Sequence, residues 1–207
     1  INNNVSALSG GGLSLIECEN YILSGVTIID NQANSGGGIF IKTSDNIDVQ
    51  DIIISDNDAY EGGGIYIENT NLNLDNVTVS YNVASEPGGG IYVANDGVIN
   101  TQNCIIDHNI SNTGGGIMLQ SGNENNNIFK NTIFSNNSLS GNDDGGGLYA
   151  HSSNITLESS VFDSNSAGGG GGLYCGNSST IIKNSLFINN YSPSGGAIRS
   201  YTSDGEW

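Results

Sequence analysis

Apolar and polar residues alternate in short runs along the whole chain. After a run of glycines the first and third positions are apolar, as in "GGGIYIE" from Gly62. Alternation with a period of two over a few residues predicts a β-strand with one side buried. Two more apolar pairs follow within the same lap, Leu72 with Leu74 and Val77 with Val79. The pattern predicts three short strands per lap, without the length or the caps of a helix.

The laps recur with a nearly constant period. Glycine triplets begin at Gly10, Gly36, Gly62, Gly88, Gly114, Gly145 and Gly170, and a weaker "GGA" begins at Gly195. The steps between them are 26, 26, 26, 26, 31, 25 and 25 residues. A repeat of this length indicates a solenoid, in which each unit contacts only its neighbours. We therefore predict an all-β protein, a right-handed parallel β-helix of about eight coils, with residues 1–207 as a single segment of a longer chain or of a stacked assembly.

One asparagine precedes the glycines on every lap, with an apolar residue three positions before it. These asparagines are Asn4, Asn31, Asn57, Asn82, Asn109, Asn137, Asn165 and Asn190. A side-chain amide tolerates turn geometry, and it can donate to one neighbouring coil while it accepts from the other. We predict a structural ladder of stacked asparagines at one corner. The glycines are predicted to form the next corner, where backbones stack closely and some residues need positive φ.

These two features together resemble a known repeat. The pairs "GGGIF" with "IIDN", "GGGIY" with "ISDN", "GGGLY" with "VFDSN" and "GGAI" with "LFINN" are similar to the repeats of polymorphic outer-membrane proteins and of related right-handed β-helix surface proteins of the pectin-lyase-like superfamily. The resemblance covers essentially the whole chain, and it implies a cell-surface or extracellular protein. Adhesins, passenger domains and polysaccharide lyases share this repeat, so the resemblance specifies the fold more closely than the function.

The outward position of the strand after the glycines is often aromatic. Five of its eight residues carry a ring: Phe40, Tyr66, Tyr92, Tyr149 and Tyr174. Since alternate residues of a strand point the same way, we expect an exposed aromatic stripe along the rod. Two interpretations stay open. The stripe is a platform for sugar rings or for a neighbouring rod, or it is a ladder that only stabilises itself through cross-strand contacts.

Charge restricts the partners and suggests one cofactor. The chain has 21 acidic and 4 basic residues and a formal charge of −17, which disfavours nucleic acid and anionic membrane surfaces. No run reaches the roughly 18 apolar residues of a membrane span, so no membrane insertion is predicted within this segment. We predict no cofactor other than calcium, whose candidate ligands are Asp30 and Asp56 on neighbouring coils, or Glu124, Asp143 and Asp144 in the long fifth lap. The competing interpretation of both groups is a solvated acidic surface.

Asn-x-Ser/Thr sequons occur seven times. Three belong to the predicted ladder, at Asn4, Asn109 and Asn190, and are expected to be sequestered. The four others, at Asn76, Asn136, Asn154 and Asn177, are candidates for glycosylation. Because Asn, Ser and Thr are abundant in this chain, chance can account for most of them.

The residue types give little support for catalysis. A polysaccharide lyase would need clustered cations beside carboxylates, whereas the basic residues are spread over different coils: Lys42, Lys130, Lys183 and Arg199. His108 and His151 fall on different columns, so no Ser/His/Asp set is indicated. We predict a non-catalytic structural or adhesive β-helix, for example a filament or stalk segment, with other copies, flanking coils or carbohydrate as partners. The alternative is a carbohydrate-binding or polysaccharide-degrading β-helix.

Overall fold

The computed structural model of the chain describes residues 1–120 and 126–202. Over these residues the chain winds into a solenoid of about seven turns, built from four sheets whose strands pair only in parallel. This confirms the predicted all-β parallel β-helix. The described residues contain no helix that is long and apolar enough to cross a membrane.

The four sheets run along the solenoid, one strand per coil. The first sheet follows the glycine triplets and contains Leu13–Ile16, Ile39–Lys42, Ile65–Glu68, Ile91–Ala94, Ile117–Gln120, Leu148–His151, Leu173–Gly176 and Ile198–Tyr201. The second contains Glu19–Ser24, Asp45–Gln50, Asn71–Asp75, Val98–Gln102, Asn126–Lys130, Asn154–Glu158 and Thr180–Lys183. The third contains Thr27–Ile29, Ile53–Ser55, Thr78–Ser80, Ile105–Asp107, Ile133–Ser135, Val161–Asp163 and Leu186–Ile188. The fourth contains Gln32–Ser35, Asp58–Glu61, Val83–Ala84, Ile110–Ser111 and Ser138–Leu139.

The fourth sheet corrects the prediction of three strands per coil. The residues between the corner asparagine and the glycines also pair, in register at Ala33 with Ala59 and at Val83 with Asp58. Each of these strands buries a single small side chain, Ala33, Ala59, Ala84 or Ser111, so it lacks the pair of apolar residues by which the other strands are recognised. Past Ser138 the pairing continues as single bridges, from Ser138 through Ser166 to Tyr191 and from Asp144 through Gly169 to Ser194.

The core is one continuous stack of inward side chains. The inward column of the third sheet is aliphatic in the first coils, with Ile54 and Ile106 fully buried, and becomes aromatic from Phe134 onward. The rings of Phe134 and Phe162 stack with centroids 4.4 Å apart, and those of Phe162 and Phe187 stack at 4.6 Å. One column therefore accepts either side-chain class, provided that successive coils match in shape.

The glycine corner has two separate requirements. The first glycine of each triplet has positive φ, 75° at Gly88, and a Cβ at Gly88 would also lie 2.6 Å from the Tyr92 Cβ. The second glycine is required for space, because a Cβ at Gly89 would lie 2.6 Å from the carbonyl oxygen of Ile110 on the next coil. Repetition of the triplet therefore has a structural cause on every coil.

Candidate functional site

The eight corner asparagines are joined by an unbroken chain of hydrogen bonds. Each Nδ2 donates to the Oδ1 of the next asparagine at 2.9–3.0 Å, from Asn4 through to Asn190. The same Oδ1 accepts the backbone N–H of the preceding asparagine at 3.0–3.1 Å. In mid-ladder the second amide proton of Asn109 goes to the Val79 carbonyl at 3.0 Å. The six inner asparagines, from Asn31 to Asn165, are buried and fully hydrogen-bonded, so they have no polar group left for a ligand.

The outward aromatic column is not the exposed stripe that the alternation predicted. Phe40 and Tyr174 are only 7% and 8% exposed, and Tyr66, Tyr92 and Tyr149 are half-buried. The reason is that outward rings on successive coils cover one another. Phe40 stacks on Tyr66 at 5.2 Å, Tyr66 meets Tyr92 edge-on at 5.3 Å, and Tyr149 stacks on Tyr174 at 4.7 Å. These contacts are those of a ladder that stabilises itself, and they leave little ring face for a sugar.

Polar groups surround this aromatic column. The hydroxyl of Tyr92 donates to Gln120 Oε1 at 3.1 Å, and Lys42 Nζ lies 3.1 Å from Glu68 Oε2. Burial, and then the negative charge of Glu68, raise the pKa of Tyr66 well above its usual range. Burial likewise raises the pKa of Tyr149 to about 12. These phenols therefore remain neutral hydrogen-bond donors.

The acidic residues proposed as calcium ligands lie in two different settings. Asp30 and Asp56 are corner residues with φ of 55°, immediately before ladder asparagines. Asp144 instead forms an ion pair with Arg199, whose Nη1 lies 2.9 Å from Asp144 Oδ1, and Asp143 accepts a hydrogen bond from Thr113. Arg199 thus supplies the positive charge beside Asp144. In the described part of the chain no three His, Cys, Asp or Glu side chains are grouped to hold a metal ion, and Glu124 lies outside that part.

A depression of about 390 Å³ lies on the outward face of the second sheet. Because the strands pair in register, their outward side chains form two columns, which we call the second-sheet trough: Asp48, Asn73, Asn100 and Ile128 in one, and Asp75, Gln102 and Lys130 in the other. The pattern of apolar residues did not predict this group, although Asp48, Asn73 and Asn100 are spaced by 25 and 27 residues, close to one lap.

The trough presents a connected set of amides and carboxylates. Asn73 donates to Asp48 at 2.9 Å, and Asn100 donates to Asn73 at 3.1 Å. The Oδ1 of Asn100 is buried and has no hydrogen-bond partner among the described residues. Lys130, at one end, lies 3.9 Å from the Glu158 carboxylate. The surface therefore offers fixed donors, fixed acceptors and one unused buried acceptor.

The chain matches the family model for right-handed β-helix regions over residues 1–138, and again over the overlapping residues 63–206. The chain belongs to the right-handed β-helix family. Comparison with curated proteins and with solved structures finds no match. Right-handed β-helix proteins include enzymes and proteins without catalytic activity, so membership establishes the fold and leaves the role to be argued from the surface.

The candidate glycosylation sites are distributed over the surface of this β-helix. Asn76, Asn136 and Asn177 are exposed corner residues with positive φ, whereas Asn154 is half-buried in a strand of the second sheet. The expected sequestration of the ladder sequons is wrong for Asn4, which is exposed because it occupies the end of the ladder. Glycosylation at the other four positions stays a prediction.

Proposed function

We propose that this right-handed β-helix is a non-catalytic structural or adhesive rod of the cell surface or extracellular space, which binds carbohydrate along the second-sheet trough. The trough is the observation that supports the proposal. Amides and carboxylates together donate to and accept from hydroxyl groups, and a concave surface with a few fixed polar groups is typical of a ligand site. The trough extends over four coils, as binding of a polymer rather than a single small molecule requires.

The polar groups of the trough favour binding over proton transfer. Asp48 accepts the amide of Asn73, and Asp75 accepts the amide of Asn103 at 3.1 Å. Lys130, the basic side chain in the trough, is near Glu158. These amide hydrogen bonds hold both carboxylates in place, so their remaining oxygen lone pairs are available as fixed acceptors for hydroxyl groups.

Exposed side chains in the core columns of the last described coils support the proposal of further coils or other copies as partners. Ile182 and Ile198 occupy core columns but are each 39% exposed, whereas their neighbours one coil inward, Leu157 and Leu173, are fully buried. Exposed core positions beside an open sheet edge favour the addition of strands. Electron microscopy of native material tests this part: rods longer than these coils support it, and uniformly short particles contradict it.

Binding is tested with the purified chain and a panel of soluble polysaccharides, by isothermal titration calorimetry. The Asn73→Ala/Asn100→Ala double variant should bind polysaccharide more weakly than the wild type, because it removes two amides that face the trough. The matched control is Asn46→Ala, an exposed amide on the same sheet that pairs with Asn20 outside the trough. The proposal fails if the wild type binds no polysaccharide, or if the double variant and the control bind equally well.

A hydrolase is the second candidate, because of the placement of Asp48 and Asp75. Asp48 pairs in register with Asn73, and Asp75 lies two residues further along that strand on the same face. Such diagonal neighbours are about 7–8 Å apart, within the spacing of about 5–9.5 Å found between glycosidase carboxyl groups. Release of new reducing ends by the wild type, abolished in Asp48→Asn and in Asp75→Asn, would establish this alternative over simple adhesion.

A further inference from the structure

A second depression, of about 250 Å³, lies on the fourth-sheet side of the solenoid near its last coils. We call it the Tyr191 pocket. Leu139 and Asn142 form one wall, Ala167 and Gly168 the floor, and Tyr191 the other wall. It shares no residue with the second-sheet trough.

The pocket exists because side-chain size changes along one outward column. Ile110, Ser138, Ser166 and Tyr191 are linked in register from coil to coil. The small serines lie between an isoleucine and a tyrosine, so the surface drops over Ser166 and rises again at the ring. Tyr191 is 67% exposed, in contrast to the buried and half-buried rings of the aromatic column.

Both walls are fixed by the backbone. The extra residues of the long fifth lap lie directly against Gly168, where a Cβ would collide with the Asn142 carbonyl, and the Gly168 N–H donates to the Asp143 carbonyl at 2.7 Å. On the other side, Ser192 Oγ is 2.9 Å from the Gly168 carbonyl and anchors the turn after Tyr191. The pocket is therefore formed before any ligand arrives, which lowers the entropic cost of binding.

The polar side chains around this pocket are not used by the fold. Outward asparagines elsewhere donate to a neighbouring coil, as Asn76 does to Asp51 and Asn103 to Asp75. By contrast, within residues 1–120 and 126–202 no side-chain hydrogen bond is formed by Asn142, Ser166 or Tyr191. Free amide and hydroxyl groups thus line a cavity that also has an exposed ring.

The charge of the pocket limits what it can bind. None of its lining residues is Asp, Glu, Lys or Arg, although the chain has 21 acidic residues. An ionic ligand would find no opposite charge there, whereas a neutral polyhydroxyl ring would find an aromatic face together with donors and acceptors. We propose that the Tyr191 pocket binds one neutral pyranose unit of a glycan, as a second site on a different face from the trough.

The test uses the isotopically labelled chain and four neutral tetrasaccharides, built from glucose in α- or β-linkage, from xylose and from N-acetylglucosamine, with tetragalacturonate as the anionic comparison. At least one neutral probe should cause saturable NMR shifts at the amides of Gly168 and Tyr191. Tyr191→Ala should weaken that binding about tenfold or more. Tyr191→Phe, which keeps the ring, should retain most of it and shows that the loss is not caused by misfolding.

Two control variants distinguish binding in the Tyr191 pocket from binding elsewhere on the rod. Tyr60→Ala removes a tyrosine that is 50% exposed outside both depressions, and it should leave the shifts at Gly168 unchanged. The Asn73→Ala/Asn100→Ala variant should weaken trough binding and also leave those shifts unchanged, so the two sites can fail independently. Absence of saturable shifts at Gly168 with every neutral probe, or an equal response to tetragalacturonate, would overturn the inference.

Discussion

The asparagine ladder and the outward aromatic column each place one side chain on successive coils, yet only the ladder is continuous. Its middle asparagines are at most 1% exposed, and every step has the same two hydrogen bonds. The aromatic column changes from stacked to edge-on contacts and is interrupted at Met118. A buried amide must be paired in the same way on every coil because water cannot replace a missing partner. Side chains of an outward column can be hydrated where a partner is missing, so their residue types and contacts can differ from coil to coil.

Removing a mid-ladder asparagine should have the largest effect. Asn109→Ala deprives Val79 O and Asn137 Oδ1 of a donor, and it deprives the backbone and side-chain amides of Asn82 of their acceptor. Each buried polar group left unpaired costs about 1–3 kcal/mol. Asn137 Oδ1 keeps the Asn109 N–H and Asn82 Nδ2 keeps the Ile54 carbonyl, so we expect a loss of about 3–5 kcal/mol in the free energy of unfolding rather than the full sum over four groups. Urea unfolding followed by circular dichroism measures it.

Two further variants sharpen this result. Asn4→Ala, at the exposed end of the ladder, should cost about 1 kcal/mol or less because water can hydrate the groups it uncovers. Asn82→Ala combined with Asn109→Ala should cost less than the sum of the single losses, because the two residues share hydrogen bonds. Strict additivity would show that the ladder does not act as a connected unit.

An aromatic-column variant should cost less than a ladder variant. Tyr66→Ala removes a stacked contact with Phe40 and an edge contact with Tyr92. Such pairs contribute about 0.5–1.5 kcal/mol each, so we expect a loss of about 2 kcal/mol. The control, Tyr60→Ala, removes a ring that is 50% exposed and should change stability by about 0.5 kcal/mol or less. Equal losses for Tyr66→Ala and Asn109→Ala would remove the distinction between the two columns.

The same distinction explains what could be predicted from the sequence. The ladder and the glycine corner could be predicted because each coil places the same residue type in the same buried environment. Asn82 and Asn109 are one such pair, and Gly88 and Gly114 are another. The fourth sheet could not be predicted, because strands such as Val83–Ala84 bury one small side chain and lack an apolar pair.

The candidate site was harder to predict from the sequence than the core. Trough residues such as Asn73 and Asn100 are surface amides in a chain rich in asparagine, and only the register of the strands shows that they are adjacent. The Tyr191 pocket depends on a difference in size between Ser166 and Tyr191 on adjacent coils. Neither feature repeats on every coil, so periodicity cannot find it.

The end of the aromatic column provides a smaller test. Arg199 lies over the ring of Tyr174, 5.7 Å from its centroid, and reaches past Gly169 to Asp144 on the coil beyond. Arg199→Ala should cost about 1 kcal/mol or less, and the loss should shrink in high salt. Gly169→Ala should give a similar loss with both charges retained, because its Cβ would collide with Asp144 and Arg199. If Gly169→Ala is as stable as the wild type, the contact between Arg199 and Asp144 does not stabilise the last coils.

The smallest expected effect depends on pH and concerns Glu61, beside the aromatic column. Burial, and then the charges of Glu86 and Glu68, raise the pKa of Glu61 above its ordinary value of 4.5. A carboxyl whose pKa is raised by folding favours the folded state most below 4.5, and this contribution is lost as pH rises through the raised value. Glu61→Gln should therefore be more stable than wild type at pH near 7 and equal to it at pH near 4. A carboxyl NMR titration midpoint for Glu61 at or below 4.5 would contradict this expectation, and it would show that the aromatic column leaves its flanking carboxylate fully hydrated.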